Sequence, residues 1–176
     1  MVLLGVSIAA VGGGIAYAVA RQPDTFRVTR SLSLKAPPAV IFGLVNDFQN
    51  WRSWSPWEGL DPALQRTYTG AAKGVGAAYA WSGNNKAGAG SMTIAESAEP
   101  KQITIALTFT RPMAAKNTAE FRFEACEGGT QVTWSLFGDN TLMGKVFSLV
   151  VGMDKLLGKS LEDGLRKLGE VASQAA

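Results

Sequence analysis

Apolar and polar residues alternate near the start of the chain. Phe26, Val28, Leu32 and Leu34 stand on one side, against Arg27, Thr29, Ser31, Ser33 and Lys35 on the other. A period of two predicts a half-buried strand. Pro37-Pro38 ends it and opens a short helix through Ile41, Phe42, Leu44 and Val45, proline being favoured in a first helical turn. Further strands are predicted over Leu64–Thr69, Ala77–Trp81 and the second half of Lys86–Ala98. The clearest strand carries Ile103, Ile105, Leu107 and Phe109 between threonines. Two more follow, with Ala119, Phe121 and Phe123, then Val132, Trp134 and Leu136, separated by the hairpin signal Gly128-Gly129. From Asn140 the period becomes helical: Leu142, Val146, Leu149, Met153, Leu156 or Leu157, Leu161, Leu165, Leu168 and Ala172 form one apolar stripe. This predicts a single long C-terminal helix.

One-sided strands need a cover, and the long helix is the one amphipathic element able to provide it. The expected fold is therefore α+β, a curved antiparallel sheet of about seven strands wrapped around the C-terminal helix. Gly88 and Gly90 mark a place where the sheet can bend. If sheet and helix do not meet fully, the gap is a cavity.

Val2–Ala20 carries no charged side chain before Arg21, close to the ~20 residues a membrane-spanning helix needs. It predicts an N-terminal hydrophobic helix acting as a single-span anchor over residues 1–21, with a folded domain over 22–176. A cleaved signal is the alternative, since Ala16-Tyr17-Ala18 and Ala18-Val19-Ala20 are small-x-small sites, but no basic stretch precedes the apolar run. A false start is the third reading. Arg21, Arg27, Arg30 and Lys35 follow the segment, which favours the domain on the cytoplasmic side over a periplasmic or secreted one.

Composition narrows the chemistry. The net charge is only +3, and basic and acidic residues are mixed, which argues against nucleic-acid binding. The chain has no histidine and a single cysteine, Cys126. It thus lacks the commonest general base and metal ligand, and no metal or organic cofactor is implied. Cys126 reads as a buried small hydrophobe ending a strand.

The strongest local signal is Trp51, Trp54 and Trp57, three of the chain's five tryptophans, at a spacing that fits a helical turn broken by Pro56 rather than a strand. They either plug a core or roof a cavity. Trp81 and Asn84 flank a turn at one cavity mouth, as candidate lid residues. Met92, Phe109, Phe121, Met153 and Leu157 are expected in cavity or core wall, and Trp134 either as a ligand contact in that wall or as a plug in the core. Arg30, in register with Val28 and Leu32, and Glu96, in register with Met92 and Ile94, are charges on apolar faces. Each either orients a polar ligand head or pairs with a neighbour at a strand end. Glu96 is the weak candidate for a general acid or base.

The order of elements resembles the helix-grip (START-like, SRPBCC) superfamily: START lipid-transfer domains, pollen-allergen-like proteins and polyketide cyclase/dehydrase-like proteins. The residues that carry it are Arg30-Ser31, Ala36-Pro37-Pro38, Asp47-Phe48, Trp51, Trp54, Ser55-Pro56-Trp57, Gly70, Gly74, Gly76, Trp81, Gly83, Gly88, Gly90 and Thr133-Trp134-Ser135. The chain most resembles the membrane-anchored, cyclase-like bacterial subgroup. The resemblance implies a cavity for an apolar or amphipathic small molecule or lipid, and no particular reaction. A cyclase or dehydratase using the cavity, or a scaffold with a filled core that binds a protein partner, are the rival expectations.

Overall fold

The fold comes from a computed structural model that describes residues 17–150 and 152–175. Most of the predicted N-terminal segment lies outside the described residues, and only 17–20 are seen, as a helical turn. No helix among the described residues is long and apolar enough to cross a membrane.

Seven strands form one antiparallel sheet in the order β1-β7-β6-β5-β4-β3-β2. They are β1 (Thr25–Leu34), β2 (Gln65–Gly70), β3 (Ala77–Ser82), β4 (Ala89–Ala98), β5 (Gln102–Arg111), β6 (Ala115–Cys126) and β7 (Gly129–Asp139). Between β1 and β2 lie helix α1 (Pro38–Asn46), a 3-10 turn (Phe48–Asn50) and the short α2 (Trp51–Trp54). After β7 come α3 (Leu142–Val150) and α4 (Met153–Ala175). Helix α4 runs along β1 and against α1 and α2.

The local causes are legible. Pro38 opens α1, and extended backbone at Asp47 ends it. The Asp47 carboxylate accepts from the Gln49 N–H at 2.9 Å and caps the turn that leads into the tryptophans. Leu161, Leu165, Leu168 and Ala172 of α4 are fully buried against the sheet, and each such leucine stabilises the fold by about 1.5–3 kcal/mol. Facing them are Val28, Ile103, Ile105, Phe121, Val132 and Trp134 of the sheet and Ile41, Phe42 and Val45 of α1.

Three expectations are corrected. The C-terminal helix is two helices. Gly152 sits at φ 81°, a left-handed conformation that ends helices and suits glycine. The apolar residues of α3 consequently do not cover the sheet: Leu142, Met143, Val146 and Leu149 are exposed. The second correction concerns Glu96. The β4–β5 register shifts between Ile94 and Glu96, where Ile94 opposes Ile105 but Glu96 opposes Thr104. This bulge at Ala95 resets the alternation. Glu96 turns outward and accepts from the Thr104 hydroxyl at 3.0 Å, while Ser97 turns inward to Asn46 at 2.8 Å. Third, Cys126 is exposed, because it lies in the tight β6–β7 hairpin opposite Gly129 rather than in the packed part of the strand.

Candidate functional site

The tryptophan segment folds back over the inner face of the sheet. Trp54 is 1% exposed and its indole N–H donates to the Leu44 carbonyl at 3.3 Å. Trp51 donates to the Val45 carbonyl at 2.9 Å. Both bonds tie α2 to the end of α1. The rings stack into one aromatic body: Trp51 lies 4.6 Å from Trp54, and Phe121 lies 4.7 Å from Trp134. Trp57 meets Trp134 edge-on at 5.4 Å. Trp54, Phe121 and Trp134 are thus core. The Trp134 indole nitrogen is buried without a hydrogen-bond partner.

Beside this core is a cavity of about 240 Å3, somewhat below the ~300–1,000 Å3 usual for small-molecule sites. It lies between β3, β4, β5 and β7, the tryptophan loop and the first turns of α4. Of the residues singled out from sequence, Trp51, Trp57, Trp81, Met92, Phe109 and Leu157 line it. The Trp81 ring lies against Gly90. A Cβ at Gly90 would sit 2.6 Å from the Trp81 ring and 2.4 Å from the Thr108 carbonyl oxygen, so only glycine permits this approach. The Trp81 indole donates to the Ala87 carbonyl at 3.1 Å, and its ring meets Phe109 edge-on at 5.6 Å.

Other predicted residues lie elsewhere. Asn84 is not in the wall; its carboxamide oxygen accepts from the Lys86 and Ala87 N–H groups and shapes the β3–β4 turn. Met153 packs, half-buried, against the core. Arg30 does point toward α4 with Val28, but not into the cavity. Its guanidinium donates to both oxygens of Asp154 at 2.8 Å and to Glu162 at 2.5 Å. It clasps α4 at Gly158, where a Cβ would collide with it. The Asp154 carboxyl is held below its ordinary value, chiefly by the hydrogen bond from Arg30. Glu96 faces away from the cavity and is bonded to its neighbour Thr104, so of its two expected roles the ligand-head one is not the one the fold provides.

A different carboxylate does line the cavity. Glu58 follows Trp57, and its side chain is 9% exposed. It accepts from the Tyr79 hydroxyl at 2.8 Å and from Arg66 Nε at 2.7 Å. Burial, reinforced by the bond to Glu58, pushes the Tyr79 phenol up. Tyr79 is therefore a neutral hydrogen-bonding group in the wall, not a base. Sequence reasoning missed this trio. Tyr79 shares a strand face with Trp81 two residues on, a signal that could have found it; Glu58 offered none. Leu64, Leu107 and Leu136 complete much of the apolar wall, and Lys86, Arg111 and Pro112 form its exposed edge. A second hollow, of about 200 Å3 beside Asp47, Tyr68 and Gly70, is lined by none of the predicted residues. Among the described residues no group of three His, Cys, Asp or Glu side chains is placed to hold a metal ion.

Solved structures share this architecture. A protein from Mesorhizobium loti is similar with a TM-score of 0.63 at 10% identity, covering 86% of this chain and 99% of its own. A Rhizobium leguminosarum protein has a TM-score of 0.61 at 15% identity, covering 85% and 95%. The Aha1 dimer from Colwellia psychrerythraea has a TM-score of 0.56 at 15% identity, covering 84% and 98%. At such identities the likeness shows the fold alone. No curated protein matches the sequence. The model of one family, described as polyketide cyclase / dehydrase and lipid transport, matches residues 25–173. With the helix-grip sheet, the covering α4 and the apolar cavity between them, the chain belongs to that family.

Proposed function

We propose that this chain is a membrane-tethered domain that binds a hydrophobic small molecule in the cavity beneath α4 and exchanges it with the bilayer. The observation that carries the reading is the cavity wall itself, formed by Trp51, Trp57, Trp81, Met92, Phe109 and Leu157. Such a wall suits an apolar body, and a scaffold with a filled interior would leave no room for one.

The tether rests on the Val2–Ala20 segment and on the surface beside which it enters the domain. Asn140 donates to the carbonyls of Pro23 and Asp24, at 3.0 and 2.7 Å. The Lys145 ammonium of α3 pairs with Asp24 at 2.6 Å. With that charge neutralised, Leu142, Met143, Val146 and Leu149 leave α3 with an exposed apolar face. A lipid surface adjoining the segment would cover it. Holding the cavity near its source raises the effective ligand concentration without any new contact. The basic residues after the segment favour the cytoplasmic side.

The test uses the neutral fluorophore N-phenyl-1-naphthylamine. The full chain should brighten it saturably, and Leu157→Trp, which fills the cavity from α4, should abolish the signal. Unchanged brightening in Leu157→Trp would mean that the probe sits elsewhere and would refute the cavity reading. For the tether, flotation with vesicles should weaken when Leu142 and Val146 become serine in a chain lacking residues 1–16; equal flotation of both forms would refute a role for α3.

A further inference from the structure

We propose that the ligand carries an anionic head, a carboxylate or a phosphate, held at the cavity mouth by Lys86 and Arg111. This rests on the cavity reading above and names the class of ligand. Of the lining residues, only Lys86, Arg111 and Pro112 are exposed, so the cavity meets solvent at the β3–β4 turn and the end of β5. Two of the three are cations. Among the described residues neither forms an ion pair with a carboxylate.

The acidic groups nearby are already engaged. Glu58, the one carboxylate in the wall, is neutralised by Arg66 and bonded to Tyr79. Asp61, under the β3–β4 turn, accepts from the Ala63 and Asn84 N–H groups. Arg111 is also pre-positioned. One Nη donates to the Ser82 hydroxyl at 3.0 Å and to the Gly83 carbonyl at 3.3 Å, which fixes the guanidinium at the rim. Guanidinium groups so held suit the paired oxygens of a carboxylate or phosphate.

The mouth therefore presents positive charge over an apolar interior. Size sets the rest of the molecule. The cavity measures about 240 Å3, just under the range usual for small-molecule sites. That suits a medium acyl chain or a small ring system, with the head left at the rim.

Competition against N-phenyl-1-naphthylamine on the full chain in a non-ionic amphipol tests this, with octanoate, octyl phosphate and octanol as competitors. Each exposed ion pair is worth a few-fold in affinity, so one or both anions should compete at about tenfold lower concentration than octanol. Raising the salt should shrink the preference, since the screening length falls from about 8 Å to 3 Å between physiological and 1 M ionic strength. In Lys86→Gln with Arg111→Gln the ratio should fall to about one. Should that pair fail to fold, Lys86→Gln alone, at an exposed position, should reduce the ratio at least twofold. Equal competition by octanol and both anions in the unaltered chain would overturn the head-group inference and leave the cavity reading standing. Failure of the chain to bind the fluorophore at all would overturn both.

Discussion

Glu58→Gln is the substitution that most sharply separates the site seen in the structure from the one visible in sequence. The carboxylate is 9% exposed and its Arg66 partner 20% exposed. It accepts two short bonds, from Tyr79 at 2.8 Å and Arg66 at 2.7 Å. A glutamine's oxygen can still accept from Arg66 while its NH2 donates to the Tyr79 hydroxyl, so what is lost is the charge, and Arg66 faces a neutral group. Breaking a fully buried pair costs about 3–5 kcal/mol. Arg66 is partly solvated and keeps its bond to the Leu64 carbonyl, which lowers the expectation to about 2–3 kcal/mol. At ~2–4 °C per kcal/mol for a chain of this size, the melting temperature should fall by about 4–12 °C. Thermal denaturation followed by tryptophan emission measures it directly. Glu96→Gln is the control: outward-facing and bonded to one threonine, it should cost no more than about 0.5 kcal/mol. Equal costs for the two glutamates would refute the argument that Glu58 is the one carboxylate built into the wall.

Further outcomes follow from the same geometry. Gly90→Ala should cost about 1–3 kcal/mol by overpacking against the Thr108 carbonyl and Trp81, and should weaken fluorophore binding as Trp81 lifts; unchanged binding and stability would contradict the close approach. Trp54→Ala should cost about 3–5 kcal/mol in urea denaturation, being a large side chain only 1% exposed; a loss below 1 kcal/mol would show that it is not core. Because the Asp154 carboxyl is lowered from 3.8, its stabilising bond to Arg30 is fully present above that value and disappears as pH falls through the lower folded value. Hydrogen exchange over 153–162 should therefore accelerate on acidification below ~pH 3.8 relative to the rest of α4, and Arg30→Gln should show the faster exchange already at neutral pH. Identical exchange in the two proteins would refute the clasp.

The strands and their faces could be read because alternation such as Ile103, Ile105 and Leu107 is a local signal, and the covering role of α4 because its stripe from Leu161 to Ala172 keeps helical period. Two failures had local physical causes that periodicity does not record. One extra residue at Ala95 reverses every face beyond it, and so misplaced Glu96. One left-handed glycine at 152 divides the C-terminal helix, because a run of apolar residues on either side of it reads as continuous. The site was legible where its residues are large and aromatic. Trp51, Trp57, Trp81 and Phe109 declare themselves by size and spacing. Its polar parts were not, because Glu58, Arg66 and Tyr79 meet only through the fold, and Lys86 and Arg111 acquire meaning only from the cavity they edge.

The most direct measurement is native mass spectrometry, with organic extraction, of the full chain purified from its own host. A reproducible bound apolar molecule is expected, absent from Leu157→Trp purified in the same way. An empty protein that also ignores a panel of lipids and quinones would contradict the cavity reading.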